Sequence, residues 1–247
     1  MARGTAYLFG RIAGKHYRKA KWMWQSFAGN EEDAIRAEQA VGQDMAHVVL
    51  ESEAAYGAGD PEVQTLLDEI TASLADRVRN QTHRFEVTAI TGEHPTAFAL
   101  PGGFIFVAPA LVELAKRNRD ELAFVIGHEM AHVIRRHAID RILSQKALSM
   151  ASLATPTARM IAPWLRTVGL QWLEKAYSRE QEFEADALGV RLMQVAGFDT
   201  NGAIRMLERF RGLDRGSDPL GLGAYVSTHP AIDDRIRHIR EQFDLDN

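Results

Sequence analysis

The segment Gly127-His128-Glu129-Met130-Ala131-His132 places two histidines four residues apart, with a glutamate directly after the first. Apolar residues around it recur at helical spacing, and on an α-helix positions i and i+4 lie within roughly 40° of each other around the axis. Both imidazoles then project from one face and can hold one metal ion together. Glu129 lies about 100° from His128, within reach of a water at that metal but badly placed to join the ligands. That makes it the candidate general base of a metal-assisted hydrolysis.

A zinc site of this type needs a third protein ligand and keeps its fourth position open for water or a substrate carbonyl. A third histidine in an HExxHxxGxxH arrangement would require glycine at 135 and histidine at 138, where this chain has Arg135 and Ala138. His137 falls about 140° around the helix from His132 and is read as a surface residue. Further along, the run from Tyr177 to Asp186 carries Glu182 and Asp186, again four apart on an expected helix. Glu182 would complete a His₂Glu set. Asp186, one turn later, could accept the free N–H of a metal-bound imidazole and fix its tautomer. Spacing alone does not single out this pair, because Glu180 and Glu184 are also four apart and acidic residues on a helix are usually a solvated face.

HEMAH followed by EFEAD resembles the gluzincin metallopeptidases of the CAAX prenyl protease and HtpX type, whose motifs are HExxH and ExxxD. Two further segments share the resemblance in the same order. Residues Pro95 to Val107 (PTAFALPGGFIFV) resemble the strand that precedes the catalytic helix, and Thr228-His229-Pro230 with Arg235-Ile236 resembles the C-terminal motif. The likeness covers about residues 31–243. It implies a mainly helical α+β zincin-like fold with a small β-sheet whose edge strand flanks the HExxH helix, one zinc ion per chain, His128, His132 and Glu182 as ligands and Glu129 as base. It further implies a catalytic part for His229, as oxyanion donor or as a group that approaches zinc and blocks the open position. Arg235, one turn later, would support His229 or anchor the site. The family often carries Asn where this chain has Thr96, which bears on a local turn or a substrate contact.

These groups need elements to position them. Ile35, Val41, Met45, Val48 and Val49 predict a long helix from about 31 to 57, stopping at Gly57-Ala58-Gly59. Asp60-Pro61-Glu62 reads as an N-cap with proline at N1 of a second helix, carried by Val63, Leu66, Leu67, Ile70, Leu74 and Val78 to about Arg79. Residues 84–91 alternate as a strand, and Thr91-Gly92-Glu93 offers a turn. A β-hairpin through Pro101-Gly102-Gly103 should follow. Its edge, from Ala99 and Leu100 through Pro101, Gly102 and Gly103, is the candidate substrate-binding element, pairing with an extended peptide through main-chain hydrogen bonds. The catalytic helix is expected from Asn118–Asp120 to about Leu143, opened by a capping box of Asn118 and Glu121, with Gly127 admitting another backbone. Gly197 reads as a C-cap, a helix follows over Asn201 to Arg211, and Thr228 with Pro230 would cap a last helix and hold His229 at its start. His47 and His83 are isolated and read as structural or surface residues.

Composition sets the frame. At 247 residues, 46% hydrophobic and 25% charged, the chain suits one catalytic domain over 31–247 behind a basic segment over 1–30. With no Cys, neither disulfides, a zinc ribbon, a cysteine nucleophile nor a lipobox is expected in this chain. No repeat period is visible, so the bare peptidase without tetratricopeptide repeats is expected. Residues 1–27 hold six Lys or Arg and no acid, followed by Trp22, Trp24 and Phe27. That segment, or the interrupted apolar stretch 147–172, is a candidate for peripheral membrane contact. Neither reads as a secretory signal or a transmembrane helix, so the expected location is cytoplasmic or peripheral to a membrane. A net charge of -4 argues against nucleic acid as a partner.

The function these features point to is zinc-dependent endopeptidase action on unfolded protein or peptide. A non-cleaving metal-stabilised holdase or adaptor, or a zinc amidase on a non-protein substrate, would use the same ligands.

Overall fold

A computed structural model of the chain describes residues 30–53, 60–91, 95–140, 176–214, 228–229 and 231–245. The basic segment up to residue 29, the stretch 147–172, the Gly57-Ala58-Gly59 stop and Pro230 lie outside the described residues. The architecture is α+β and mainly helical, as expected, with a three-stranded sheet.

Strand alternation places the sheet between two apolar layers. Strands β1 (Glu86–Ala89), β2 (Ala97–Ala99) and β3 (Phe104–Val107) are ordered β1-β3-β2. β1 runs parallel to β3, with Val87 opposite Ile105, and β2 runs antiparallel to it, with Ala99 opposite Ile105. Side chains on successive strand residues point to opposite faces. Phe106 therefore joins Leu100, Met45, Ala46 and Val49 on one side. Ile105 and Val107 join Val63, Leu67, Ile70, Leu122 and Phe124 on the other. Phe98 stacks on Phe106 with ring centroids 5.2 Å apart.

The first layer is covered by helix α1 (Glu31–Glu53) and the second by α2 (Pro61–Ala75). Asn30 accepts from the Asp33 N–H to start α1, and Asp60 accepts from the Glu62 N–H to start α2, with Pro61 at N1 as expected. The hairpin turn Pro101–Gly103 is a single 3₁₀ turn packed beneath α1. Gly102 has φ +81°, and a Cβ there would lie 2.4 Å from the Gln39 Cα, so neither its conformation nor its space admits a side chain. The outer edge of β1 is occupied by Gln64, which donates to the Val87 carbonyl and accepts from the Ala89 N–H, both at 2.8 Å.

Helix α3 (Pro109–Leu114) leads to α4 (Arg119–Ile134), which is buried from Glu121 to Val133. Asn118 caps α4 by accepting from the Asp120 and Glu121 N–H groups at 3.1 Å. The expected reciprocal bond from Glu121 is not made. Its buried carboxylate is held by Arg209 of α6 (Asn201–Asp214), a charged partner that outcompetes a local backbone N–H. Nor does α4 continue to Leu143. It stops at Ile134, and Arg136 turns the chain with φ +62° before a further helical turn over 137–140.

Helix α5 (Arg179–Ala196) opens with a capping box of Ser178 and Gln181 and closes at Gly197 with φ +85°. Helix α7 (Ile232–Phe243) starts later than expected. Its N-cap is Ala231, with φ +66° and no side-chain cap bond, so Thr228 does not cap it.

Candidate metal centre

Helices α4 and α5 cross glycine on glycine. A Cβ on Gly189 would lie 2.9 Å from the His128 nitrogen, and one on Gly127 would lie 3.2 Å from the Gly189 carbonyl oxygen. That approach brings the face of His128 and His132 against the face of Glu182 and Asp186. All four side chains are buried, whereas Glu180 and Glu184 are exposed.

The donor atoms converge on one point. His132 Nε2 lies 3.0 Å from His128 Nε2 and 3.4 Å from Glu182 Oε1, and His128 Nε2 lies 3.6 Å from Glu182 Oε2. His229, delivered from the segment before α7, adds its Nδ1 at 3.3 Å from His128 Nε2 and 3.1 Å from Glu182 Oε1. These four residues form a buried group whose ligand atoms all lie within 4.8 Å of one another. Zn–N bonds of about 2.0–2.1 Å place neighbouring ligands of a tetrahedral ion about 3.3–3.4 Å apart. The observed spacings fit such an ion, and three imidazoles with a carboxylate are a donor set suited to it.

The surroundings orient these donors. Asp186 Oδ1 lies 2.9 Å from His128 Nδ1, which leaves His128 Nε2 to present its lone pair to the group. Arg235, fully buried, donates through Nε and Nη2 to both oxygens of Asp186 at 2.8 and 2.7 Å and places Nη1 2.9 Å from Glu182 Oε2. Burial pushes the Glu182 carboxyl up, but the charges of His229, Arg235 and His128 outweigh it and hold it well below the usual carboxylate range. Burial likewise raises Asp186, and Arg235 overcomes it to keep that group lowered. For Glu129 burial wins, so its carboxyl is raised. Neither oxygen of Glu129 has a hydrogen-bond partner among the described residues, and Oε1 lies 3.5 Å from His229 Nε2.

Two residues at the centre escaped the sequence reading. His137 is buried rather than on the surface, with Nδ1 2.9 Å from His132 Nδ1 and Nε2 3.5 Å from Glu184 Oε2. The extrapolation around the helix failed because Arg136 breaks the helix first. Burial lowers the His137 pKa, against the opposing pull of Glu184. Tyr177 stacks on His132 with centroids 3.8 Å apart and donates its backbone N–H to the Thr228 carbonyl at 3.0 Å. No spacing signal pointed to it. All five expected substrate-binding residues are buried: Ala99 ends the edge strand β2, which packs on α4, Leu100 lies in the core, Pro101 and Gly102 lie against α1, and Gly103 lies against Arg84 and Phe85.

The family profile of peptidase family M48 matches residues 61–243. The chain belongs to peptidase family M48. It is 35% identical over 163 residues to the mitochondrial metalloendopeptidase OMA1 of Schizosaccharomyces pombe, covering 64% of this chain and 46% of the relative. Against the OMA1 of Saccharomyces cerevisiae it is 30% identical over 190 residues, 76% of this chain and 51% of the relative. The metalloprotease LoiP of Escherichia coli is 26% identical over 208 residues, 82% of this chain and 79% of the relative. The chain spans about half the length of these two OMA1 relatives. The buried His/Glu group is the potential metal site of this M48 chain. Among the described residues no helix is long and apolar enough to cross a membrane.

Proposed function

We propose that the chain is a zinc-dependent endopeptidase that hydrolyses peptide bonds in unfolded or misfolded protein, in a quality-control role. The observation that carries this reading is the buried carboxylate of Glu129, without a hydrogen bond among the described residues, beside four converging donor atoms. A structural metal site has no use for such a group.

His128, His132 and Glu182 would hold the metal. Bound zinc supplies Lewis acidity, bringing the pKa of a water toward roughly 7 and polarising the scissile carbonyl. Glu129 takes a proton from the attacking water as its oxygen bonds to the carbonyl carbon. When the C–N bond breaks, Glu129 passes that proton to the leaving amine. Asp186 and Arg235 keep the ligands in their tautomer and charge state. The main chain of β2 would pair with an extended substrate, which admits many sequences. Peripheral membrane contact through 1–27 or 147–172 would bring the enzyme near its substrates.

His229 stands where a fourth ligand would stand. With His229 among the ligands the centre would be closed, and turnover would then call for His229 to leave the group and stabilise the oxyanion. The closed set also suits a non-cleaving, metal-stabilised binder. Cleavage of casein by the zinc-loaded chain, with Glu129→Gln as control, separates the two. Wild-type cleavage with a loss of at least ~100-fold in the variant is expected. Equal activity in both would remove Glu129 as base, and zinc binding without cleavage in either would favour the binder.

A further inference from the structure

His128 and His132 are steadied by different chemistry. His128 Nδ1 faces the carboxylate of Asp186, whereas His132 Nδ1 faces another imidazole, His137 Nδ1, at 2.9 Å. With His132 Nε2 turned to the donor group, its proton must sit on Nδ1, which can only donate. His137 Nδ1 must then accept, so the His137 proton lies on Nε2, the nitrogen 3.5 Å from Glu184 Oε2. The two rings meet edge to face at 69° with centroids 5.0 Å apart.

We propose that His137 is a positioning residue for the metal centre: it fixes the tautomer and ring orientation of His132, with Glu184 as the solvent-facing end of the relay. The inference rests on the reading that this group binds zinc. A neutral acceptor in this place orients the ligand without adding a further buried negative charge to those of Glu182 and Asp186. Glu184 is thereby distinguished from Glu182 not as an alternative ligand but as the outer partner of a ligand's partner.

The test uses the full chain with zinc alone. Zinc affinity is measured by chelator competition, and the absorption spectrum of the cobalt-substituted protein reports ligand geometry. His137→Leu, which cannot accept, should weaken zinc binding by about 10–100-fold and alter the cobalt spectrum. His137→Asn, whose Oδ1 can stand near the lost Nδ1, should recover most of both. Glu184→Gln should change affinity by less than His137→Leu does. Wild-type affinity in His137→Leu would overturn the proposal. Equal losses in the Leu and Asn variants, with matching falls in thermal stability, would also overturn it by assigning His137 to packing. A wild-type chain that binds no stoichiometric zinc would instead bring down the metal reading, and the relay with it.

Discussion

The residues that surround the candidate metal reach it in two ways. His128, His132, Glu182 and Asp186 ride on uninterrupted turns of α4 and α5, where an i, i+4 spacing settles which side chains share a face. His137 and His229 arrive beside breaks, the first just after Arg136 and the second shortly before Ala231, both non-glycine residues in the left-handed region. A regular helix places a group through local geometry alone. A break places it only if the surrounding packing holds a strained backbone, so its position depends on the whole fold.

Predictions follow that division. The largest effect is expected on the helix-borne residues proposed as ligands: Glu182→Ala should weaken zinc binding at least ~100-fold, about 3 kcal/mol, measured as metal content after dialysis. Unchanged stoichiometry would move the ligand role elsewhere on α5. Next comes the crossing itself. Gly189→Ala sets a methyl group 2.9 Å from the His128 nitrogen, and overpacking of that kind should lower stability by roughly 1–3 kcal/mol in denaturant melts.

At the first break, Glu38 of α1 is buried against Arg136, and burial pushes its carboxyl up to about 7 despite that arginine. A folded pKa above the unfolded one means that the native state binds the extra proton. Stability should therefore fall as pH rises from about 4.5 through about 7, by up to roughly 3 kcal/mol. Glu38→Gln should flatten that slope in melts taken between about pH 5 and 8. The smallest effect belongs to the second break. Ala231→Gly relieves a left-handed alanine and should stabilise by up to about 1 kcal/mol, offset in part by the freer unfolded chain.

The same division explains what could be read from the chain. Asp60, Asn118 and Gly197 announce helix ends through local hydrogen bonds or backbone freedom, and the structure places them there. Strand alternation at 84–91 and the hairpin through Pro101–Gly103 were equally local. The end of α4 was not, because Arg136 carries no intrinsic preference for a positive φ and is held by its pairing with Glu38, 98 residues away. Glu121 fits a capping box by spacing, yet Arg209, 88 residues distant, captures it. Tyr177 has an unremarkable local context, and only the folded chain stacks it on His132.

Gln64 has a consequence for the whole molecule. By filling the hydrogen-bonding edge of β1 with a side-chain amide, it leaves β2, among the described residues, as the one edge of this sheet able to accept another strand. Among the described residues such a sheet has a valency of one: a second copy that met it there, β2 to β2, would leave no further edge of this sheet for a third.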